Sequence, residues 1–152
     1  MMIRTRRLYI RNFRTEDLND LHRLLSDCEV MRYLEPPYSR KKAADFLKNA
    51  GLCASPLIYA VEDSEGGFAG YVIYHPYERD SYEIGWVLCR ENWGRGYAKE
   101  LTEALIRDAG GRTNSLVIEC VPEQTASIRI ALHSGFRFEG QTEGCNVYRL
   151  FL

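Results

Sequence analysis

The segment from Glu83 to Leu101 constrains this chain more than any other, because it joins a strand to a helix through a loop that contains glycine. An apolar strand pattern opens the segment, Gly94 and Gly96 follow, and a helical pattern continues beyond them. Amide groups at the start of a helix lack partners and point outward, where the helix dipole adds partial positive charge. Arg95 and Lys99 add full charges. The segment therefore predicts an α/β arrangement with a loop suited to a pyrophosphate.

The glycine loop does not match either of two common phosphate-binding patterns. From Gly94, the dinucleotide pattern G-x-G-x-x-G requires glycine at position 99, where Lys99 stands, and no G-x-x-x-x-G-K-[ST] is present. A loop that merely begins a helix is the plain alternative. On the loop alone, both interpretations stay open.

The hydrophobic pattern of the whole chain predicts the order β-α-α-β-β-β-α-β-α-β-β. The predicted strands span 8–13, 57–62, 67–74, 82–88, 116–121, 136–138 and 147–152, and the predicted helices span 15–27, 39–51, 94–108 and 125–134. Thr15 and Ser39 are expected to cap the first two helices, and Gly51 and Gly135 to end the second and the fourth. No linker divides the chain, so we expect one α/β or α+β domain over residues 1–152 with a mixed sheet.

Composition narrows the classes of protein further. Twenty basic residues stand against 21 acidic ones, a balance that argues against a nucleic-acid-binding surface. No apolar run approaches the roughly 20 residues of a membrane span, and the amino terminus does not resemble a secretory signal. Five cysteines without CxxC spacing predict free thiols and a cytoplasmic location. The three histidines (22, 75 and 133) are scattered, so no metal site is expected.

The string from Trp93 to Ala98 resembles the acetyl-CoA-binding motif of the GNAT N-acetyltransferase superfamily. That motif is Gln or Arg, two residues, Gly, one residue, then Gly or Ala. Gly96 and Ala98 fill its last two positions, and Trp93 stands where Gln or Arg is usual. The form W-G-R-G-Y-A is similar to the branch that includes the ribosomal-protein alanine acetyltransferases. Residues 5–11, 28–34 and 122–136 resemble other segments of that branch, so the resemblance covers nearly the whole chain.

The resemblance implies a mixed, mostly antiparallel sheet whose two central parallel strands, 82–88 and 116–121, splay apart, with about four helices around it. Acetyl-CoA would lie in the gap as the acetyl donor, without a metal. The main chain of Trp86, Val87 and Leu88 would pair with the pantetheine arm. The pyrophosphate would be held by Gly94, Arg95, Gly96, Tyr97, Ala98 and Lys99. Gln124 would add a contact at a position where the family usually has Asn.

The implied activity is transfer of an acetyl group, within a ternary complex, to a primary amine of a protein N-terminus or a small molecule. A protonated amine cannot attack a thioester, so a base is needed. Glu83 is the first candidate, because several related enzymes carry a catalytic glutamate there, and Glu119 is the second. Ser127 is expected to protonate the departing thiolate, with Tyr148 as a weaker candidate. The tyrosine acid usual in the family is replaced by Ala131.

Other questions stay open at this stage. Tyr33, Tyr38 and His75 are expected to contact the acceptor, whose identity the residues do not reveal. A covalent route through Cys89 or Cys120 is a weaker hypothesis, since neither thiol has an activating partner in the sequence. A catalytically silent CoA-binding sensor and a nucleotide-binding regulator are the competing functions. The oligomeric state, monomer or homodimer, is equally open.

Overall fold

The fold is built on one mixed sheet of eight strands, and the computed structural model describes residues 1–152. The strands are β1 (Met2–Arg4), β2 (Leu8–Arg11), β3 (Ile58–Asp63), β4 (Phe68–Pro76), β5 (Ser81–Leu88), β6 (Ser115–Cys120), β7 (Arg137–Thr142) and β8 (Cys145–Phe151). The helices are α1 (Leu18–Leu25), α2 (Arg40–Phe46), α3 (Tyr97–Ala109) and α4 (Thr125–His133). Single turns at Thr15–Asp17, Leu47–Gly51 and Arg90–Asn92 adjoin α1, α2 and the end of β5.

The strand order is β1-β2-β3-β4-β5-β6-β8-β7, and every neighbouring pair is antiparallel except β5 and β6. The parallel pair is short. Only residues 81–83 of β5 match residues 115–117 of β6, and the last pair in register is Glu83 with Val117. Beyond that pair the two strands diverge. The predicted fold class, a mostly antiparallel sheet with two splayed parallel strands and four helices, is thus confirmed.

The sheet buries both faces, each against its own pair of helices. Alternate residues of a strand point to opposite faces. On one face Val72 and Ile84 pack with Leu101 of α3, and on the other Tyr71 and Val87 pack with α1 and α2. The divergence of β5 and β6 therefore lies within a sheet that is covered on both faces.

Gly70 allows β4 and β5 to approach closely just before β5 ends. Its φ is +143°, and a Cβ atom at this position would lie 2.1 Å from the carbonyl oxygen of Val87. Any other residue would push the two strands apart. The position of the last residues of β5 therefore depends on this glycine.

Two predicted helix boundaries are confirmed at the level of single hydrogen bonds. The Ser39 hydroxyl accepts a hydrogen bond from the Lys42 amide at 3.2 Å, as an N-cap should. At the end of α4, Gly135 has φ +93°, and the Phe136 amide donates to the Ala131 carbonyl at 3.0 Å. This pattern is a Schellman motif, which ends the helix at the predicted glycine.

The prediction for the first helix was wrong at its start. Thr15 is not an N-cap but lies in a 3-10 turn, and α1 begins at Leu18. Asp17 stabilises this turn instead. Its carboxylate accepts a hydrogen bond from the Arg14 amide at 2.7 Å and forms an ion pair with Arg11. The buried ion pair of Asp17 with Arg11 thus accompanies a 3-10 turn at the position where Thr15 was expected to cap the helix.

Three other boundaries differ from the prediction. The sequence pattern missed β1, a three-residue edge strand too short to show periodicity. Helix α3 begins at Tyr97 and not at 94, because Gly94 and Gly96 adopt φ values of +74° and +78°, which an α-helix does not contain. The last hairpin is longer than predicted, since β7 continues to Thr142.

Candidate active site

A cavity of about 540 Å³ lies between the end of β5 and the segment that follows β6. Three parts of the chain form its wall: the loop after α1, the end of β5 with the glycine loop, and the start of α4. Eleven of the residues singled out from the sequence line it, namely Tyr33, Trp86, Val87, Leu88, Gly94, Gly96, Tyr97, Ala98, Lys99, Gln124 and Ser127. The divergence of the parallel strands therefore opens into a space walled by the segments that the sequence pattern predicted.

The glycine loop presents the start of α3 to this cavity. The first hydrogen bond at this helix end runs from the Glu100 amide to the Gly96 carbonyl at 3.1 Å. The amides of Tyr97, Ala98 and Lys99 consequently have no partner within the helix. A Cβ atom at Gly94 would meet nothing within 4 Å, so the loop is open on its outer side. Free amides, open space and the helix dipole together form an anion-binding surface.

A second, wholly polar basin of about 360 Å³ adjoins the same loop and shares Gly96 and Lys99 with the cavity. Arg6 and Arg107 contribute further positive charge to its wall, although Glu100 and Glu103 also line it. Arg7 lies 4.8 Å above the Tyr97 ring and forms an ion pair with Glu100 at 2.8 Å, which fixes the amino-terminal segment to α3. Arg95 is exposed and does not line the cavity.

Trp93 connects the glycine loop to the end of β5. Its indole Nε1 donates to the Leu88 carbonyl at 3.0 Å, although about half of the side chain is exposed. Trp93, which departs from the usual motif, thus has a defined contact. This hydrogen bond closes the turn of residues 89–92 between the strand and the glycine loop.

Gln124 and Ser127 lie at the start of α4, facing the cavity. The Gln124 Oε1 accepts from the Val121 amide at 3.3 Å, so its carbonyl closes a turn, while its amide nitrogen has no partner within the protein. The Ser127 hydroxyl forms no hydrogen bond within the protein and does not bond to its own backbone. Ala131 is fully buried one turn further on, and it offers no proton donor to the cavity.

Glu83 lies at the apex of the gap, because it is the last residue of β5 that pairs with β6. Its carboxylate is 3.0 Å from Nε2 of His75, which stands opposite it on β4, and His75 Nδ1 is 2.7 Å from the Pro76 carbonyl. The contact with Glu83 is the main cause that raises the pKa of His75 above 6.5; burial of the ring opposes it and the Pro76 carbonyl adds to it. The structure therefore brings together two residues that the sequence assigned to different tasks.

Glu119 lies on the same face of the sheet as Glu83, two residues beyond Val117, the partner of Glu83. The Tyr77 hydroxyl donates a hydrogen bond to it, and this contact, with burial adding to it, raises the pKa of Tyr77 to about 12. Sequence reasoning missed Tyr77. It lies in the turn after β4, and only the pairing of strands reveals that it meets β6.

Two of the tyrosines considered from the sequence lie outside the cavity wall. Tyr38 is buried against Phe46, and its hydroxyl donates to Glu35; burial first and this contact second raise its pKa to about 12. Tyr148 is buried as well, and its hydroxyl accepts from Asn146 at 3.3 Å. Both hydroxyls have structural partners, whereas the sequence suggested a contact with the acceptor for Tyr38 and protonation of the thiolate for Tyr148.

Cys89 and Cys120 are buried, and neither lines the cavity. Burial is the main cause that raises the pKa of each thiol to about 11. A thiol with so high a pKa holds its proton at neutral pH, and the thiolate is the nucleophilic form. The covalent route loses its chemical basis at both positions.

Asn92 is a cavity residue that the sequence did not indicate. It is 7% exposed, it lines the cavity, and its side-chain amide forms no hydrogen bond within the protein. Its amide atoms keep some exposure, since Ser81 Oγ is the one fully buried side-chain polar atom without a partner. No signal marked it in advance, because it precedes the motif and lies in a single 3-10 turn.

Comparison with known proteins agrees with this arrangement. A family model described as an acetyltransferase (GNAT) domain matches residues 7–137. An uncharacterised N-acetyltransferase of Bacillus subtilis, YnaD, is 31% identical over 149 residues, covering 95% of this chain and 88% of that protein. The chain belongs to the GNAT family of acetyltransferases, and it is an acyltransferase.

Solved structures show the same fold. A GNAT-family acetyltransferase from Bacillus anthracis superposes with a TM-score of 0.89 and 25% identity, covering 99% of this chain and 98% of the other. The ribosomal L7/L12 alpha-N-protein acetyltransferase RimL, solved in complex with coenzyme A, superposes with a TM-score of 0.85 and 19% identity, covering 100% and 98%. At that identity the second comparison shows the fold alone.

Two further observations concern metal ions and membranes. No group of three or more His, Cys, Asp or Glu side chains is placed to hold a metal ion. None of the helices has the length and apolar character needed to cross a membrane.

Proposed function

We propose that the protein transfers the acetyl group of acetyl-CoA directly to a primary amine. One observation carries this proposal. The parallel strands β5 and β6 separate after Glu83, and the freed end of β5, from Trp86 to Leu88, lines a cavity that reaches the free amides at the start of α3; Glu83 and Glu119 lie outside its wall. A strip of unpaired strand edge that leads to an anion-binding helix start suits an extended ligand with a phosphate end.

The residues of the cavity fit such a donor. Beyond Glu83, the edge of β5 that faces β6 is free of β6 and offers main-chain groups at Trp86 and Val87 to the amides of a pantetheine arm. The amides of Tyr97, Ala98 and Lys99 would hold the pyrophosphate, and the basin with Arg6 and Arg107 adds positive charge beside it. The donor, once bound, supplies an acetyl thioester.

Proton transfer would fall to groups on opposite sides of the gap. Glu83, at the apex, is the proposed base that removes a proton from the acceptor amine, and Glu119 on the same face is the second candidate. The Ser127 hydroxyl lines the cavity without a partner and is the proposed donor to the departing thiolate. A main-chain amide of β5 would stabilise the charge that develops on the thioester oxygen.

The acceptor would enter beside the loop after α1, where Tyr33 lines the cavity. A protein N-terminus and a small-molecule amine are both primary amines, and the similarity in fold to a ribosomal-protein acetyltransferase favours testing peptide N-termini first.

We further propose that the enzyme acts in the cytoplasm, since none of its five cysteines is paired in a disulfide.

A silent CoA-binding module is the second candidate function. Two observations favour it: Gln124, which replaces the usual Asn, already bonds to the Val121 amide, and the position of the usual tyrosine acid is the buried Ala131. This module would bind the donor through the same loop and would release no thiol.

Thermal unfolding with acetyl-CoA, ATP or NAD tests the donor site without knowledge of the acceptor. A ligand that binds only the folded state at about 100 times its Kd adds about 2.7 kcal/mol to stability. We expect a higher unfolding midpoint with acetyl-CoA alone, and loss of this rise in Gly96→Glu, which adds a side chain and a negative charge at φ +78°. An equal rise with ATP would point to the nucleotide-binding regulator.

Thiol release from acetyl-CoA, measured with short peptides bearing free N-termini and with simple polyamines, then separates the enzyme from the silent module. Amine-dependent release that falls in Glu83→Gln is the expected result. Donor binding without release by any of these amines would favour the silent module.

A further inference from the structure

His75 and Glu83 are so placed that they share one proton. Nδ1 of His75 lies 2.7 Å from the Pro76 carbonyl oxygen, which can only accept, so Nδ1 must carry a hydrogen. Nε2 lies 3.0 Å from Oε2 of Glu83. That second contact is a hydrogen bond only if a further proton lies between the two atoms. The pair therefore holds it either as imidazolium with carboxylate or as imidazole with carboxylic acid.

We propose that His75 and Glu83 act together as the base of the transfer reaction, with His75 setting how strongly the pair holds a proton. The inference rests on the proposed function. In the form that is competent for the step the pair has lost this shared proton to solvent, so His75 is neutral with its hydrogen on Nδ1 and Glu83 is a carboxylate. The acceptor ammonium gives one proton to Oε2 of Glu83 and becomes a neutral amine. The proton then lies between Oε2 and Nε2, as the observed geometry requires.

Pairing with His75 makes Glu83 part of a stronger base than an isolated glutamate. An isolated glutamate has a pKa near 4.3, so it holds a proton weakly at neutral pH, whereas an imidazole titrates near 6.5. A base works best when its pKa lies near the operating pH. Contact with Glu83 raises the pKa of His75 further, against the effect of burial. In this assignment His75 acts on Glu83 and Glu83 takes the proton from the acceptor, so His75 is a positioning residue for the base.

The surroundings leave His75 as the only basic side chain in an ion pair with Glu83. The other titratable groups around the pair are Tyr77 and Glu78 in the turn after β4, Glu119 on β6, and Cys145 and Arg149 on β8. Glu119 is occupied by the Tyr77 hydroxyl, and Arg149 forms ion pairs with Glu78 and Glu139. None of these groups replaces His75 as the partner of Glu83.

Nitrogen-15 NMR of the imidazoles, recorded across pH on the whole protein, tests the pair without any substrate. We expect His75 to titrate above the ordinary imidazole pKa of about 6.5, with Nδ1 as the protonated nitrogen when the ring is neutral. In Glu83→Gln the midpoint of His75 should fall toward its ordinary value, and the signals of the exposed His133 should not differ between the two proteins. An unchanged midpoint in Glu83→Gln, or a neutral ring protonated at Nε2, would overturn the pair.

The pH dependence of kcat in His75→Gln, measured with the peptide or polyamine that releases most thiol, tests the role of the pair. Glutamine can still donate to Glu83 but does not titrate, so the acidic limb should move to lower pH and kcat at neutral pH should fall roughly tenfold or more. His133→Gln, on the exposed end of α4, should leave the profile unchanged. An unshifted limb in His75→Gln would refute the base assignment even if kcat falls. If the NMR result holds and no amine is acetylated, the pair stands, and both the proposed function and the base role fail.

Discussion

The indole of Trp93 donates a hydrogen bond to the carbonyl of Leu88 at 3.0 Å, and this contact joins the last residue of β5 to the glycine loop. It crosses the turn through Arg90–Asn92 that would otherwise be tied to the strand only by its own backbone. Leu88 and Trp93 both line the cavity. This contact thus helps to set the position of the glycine loop relative to the end of β5, together with the ion pair of Arg90 with Asp27 at 2.9 Å.

Trp93→Phe removes this hydrogen bond and retains an aromatic ring. A neutral hydrogen bond contributes about 1 kcal/mol, so if the ligand must order the freed loop, the Kd for acetyl-CoA should rise by roughly fivefold. Calorimetric titration measures the affinity, and hydrogen exchange of residues 89–96 in the free protein measures the order of the loop.

Trp86→Phe is the matched control, because it removes an indole from the same cavity wall without touching the bond to Leu88. Exchange of residues 89–96 should rise in Trp93→Phe and stay constant in Trp86→Phe. Equal exchange in both variants would mean that the turn is ordered by its backbone alone.

Glu83 and Glu119 make separable contributions if Glu83 is the base. Glu83→Gln should lower kcat by about 10²- to 10⁴-fold, the usual contribution of a general base, with little change in the Kd for acetyl-CoA. Glu119→Gln should cost less than about tenfold, because Glu119 is already engaged by Tyr77. Steady-state thiol release with a common acceptor measures both.

The double variant Glu83→Gln, Glu119→Gln should have a kcat within about threefold of that of Glu83→Gln alone. Once the base is removed, loss of a second carboxylate should have little further effect on kcat. If Glu119→Gln carries the large loss instead, the two roles are exchanged. If the double variant transfers acetyl groups at the normal rate, neither carboxylate is the base.

Local patterns were sufficient to predict much of this architecture. The strand, glycine loop and helix from Glu83 to Leu101, the cap at Ser39 and the helix end at Gly135 each depend on residues close together in sequence, and all were found at or near their predicted positions. Their order predicted one α/β or α+β domain with a mixed sheet, and the family resemblance added the two splayed parallel strands. Such features depend on backbone preferences that neighbouring residues determine.

Contacts between strands were beyond prediction from a single sequence. Tyr77 meets Glu119 only because the turn after β4 reaches across β5 to β6, and His75 meets Glu83 through the register of β4 with β5. Asp17 falls inside the first predicted helix, and the pattern gave no sign that it would pair with Arg11. Register follows from packing of the whole sheet, so pairs of this kind emerge only with the fold.

The cysteines should prove dispensable for transfer. Burial raises the pKa of Cys89 and of Cys120 to about 11, which leaves little thiolate at neutral pH. Cys89→Ala and Cys120→Ala should therefore retain kcat within about threefold, and mass spectrometry of the enzyme mixed with acetyl-CoA alone should detect no acetylated cysteine. An acetyl group on either thiol that a later addition of amine removes would establish the covalent route.

The ion pair of Arg11 with Asp17 should make stability depend on pH in the acid range. Both side chains are more than 90% buried, and Arg11 also contacts Glu62 at 2.6 Å. Burial alone would raise the pKa of Asp17, but hydrogen bonds from Arg11 and from the Arg14 amide outweigh it, so the pKa lies below 3.8. Because the folded-state pKa is lowered, the contribution to stability is complete above the unfolded-state pKa and is lost as the pH falls through the folded-state value.

Asp17→Asn should therefore destabilise the protein by roughly 2–3 kcal/mol at pH 7, the upper range for a hydrogen bond to a charged group, since Glu62 still compensates Arg11. Urea unfolding at a series of pH values should show the difference from the wild type shrinking as the pH falls below about 4. Asp20→Asn is the control: its carboxylate is half exposed beside Arg23, and its loss should change stability by less than about 0.5 kcal/mol at any pH. A pH-independent difference for Asp17→Asn would mean that the carboxylate contributes through its shape and neutral hydrogen bonds and not through its charge.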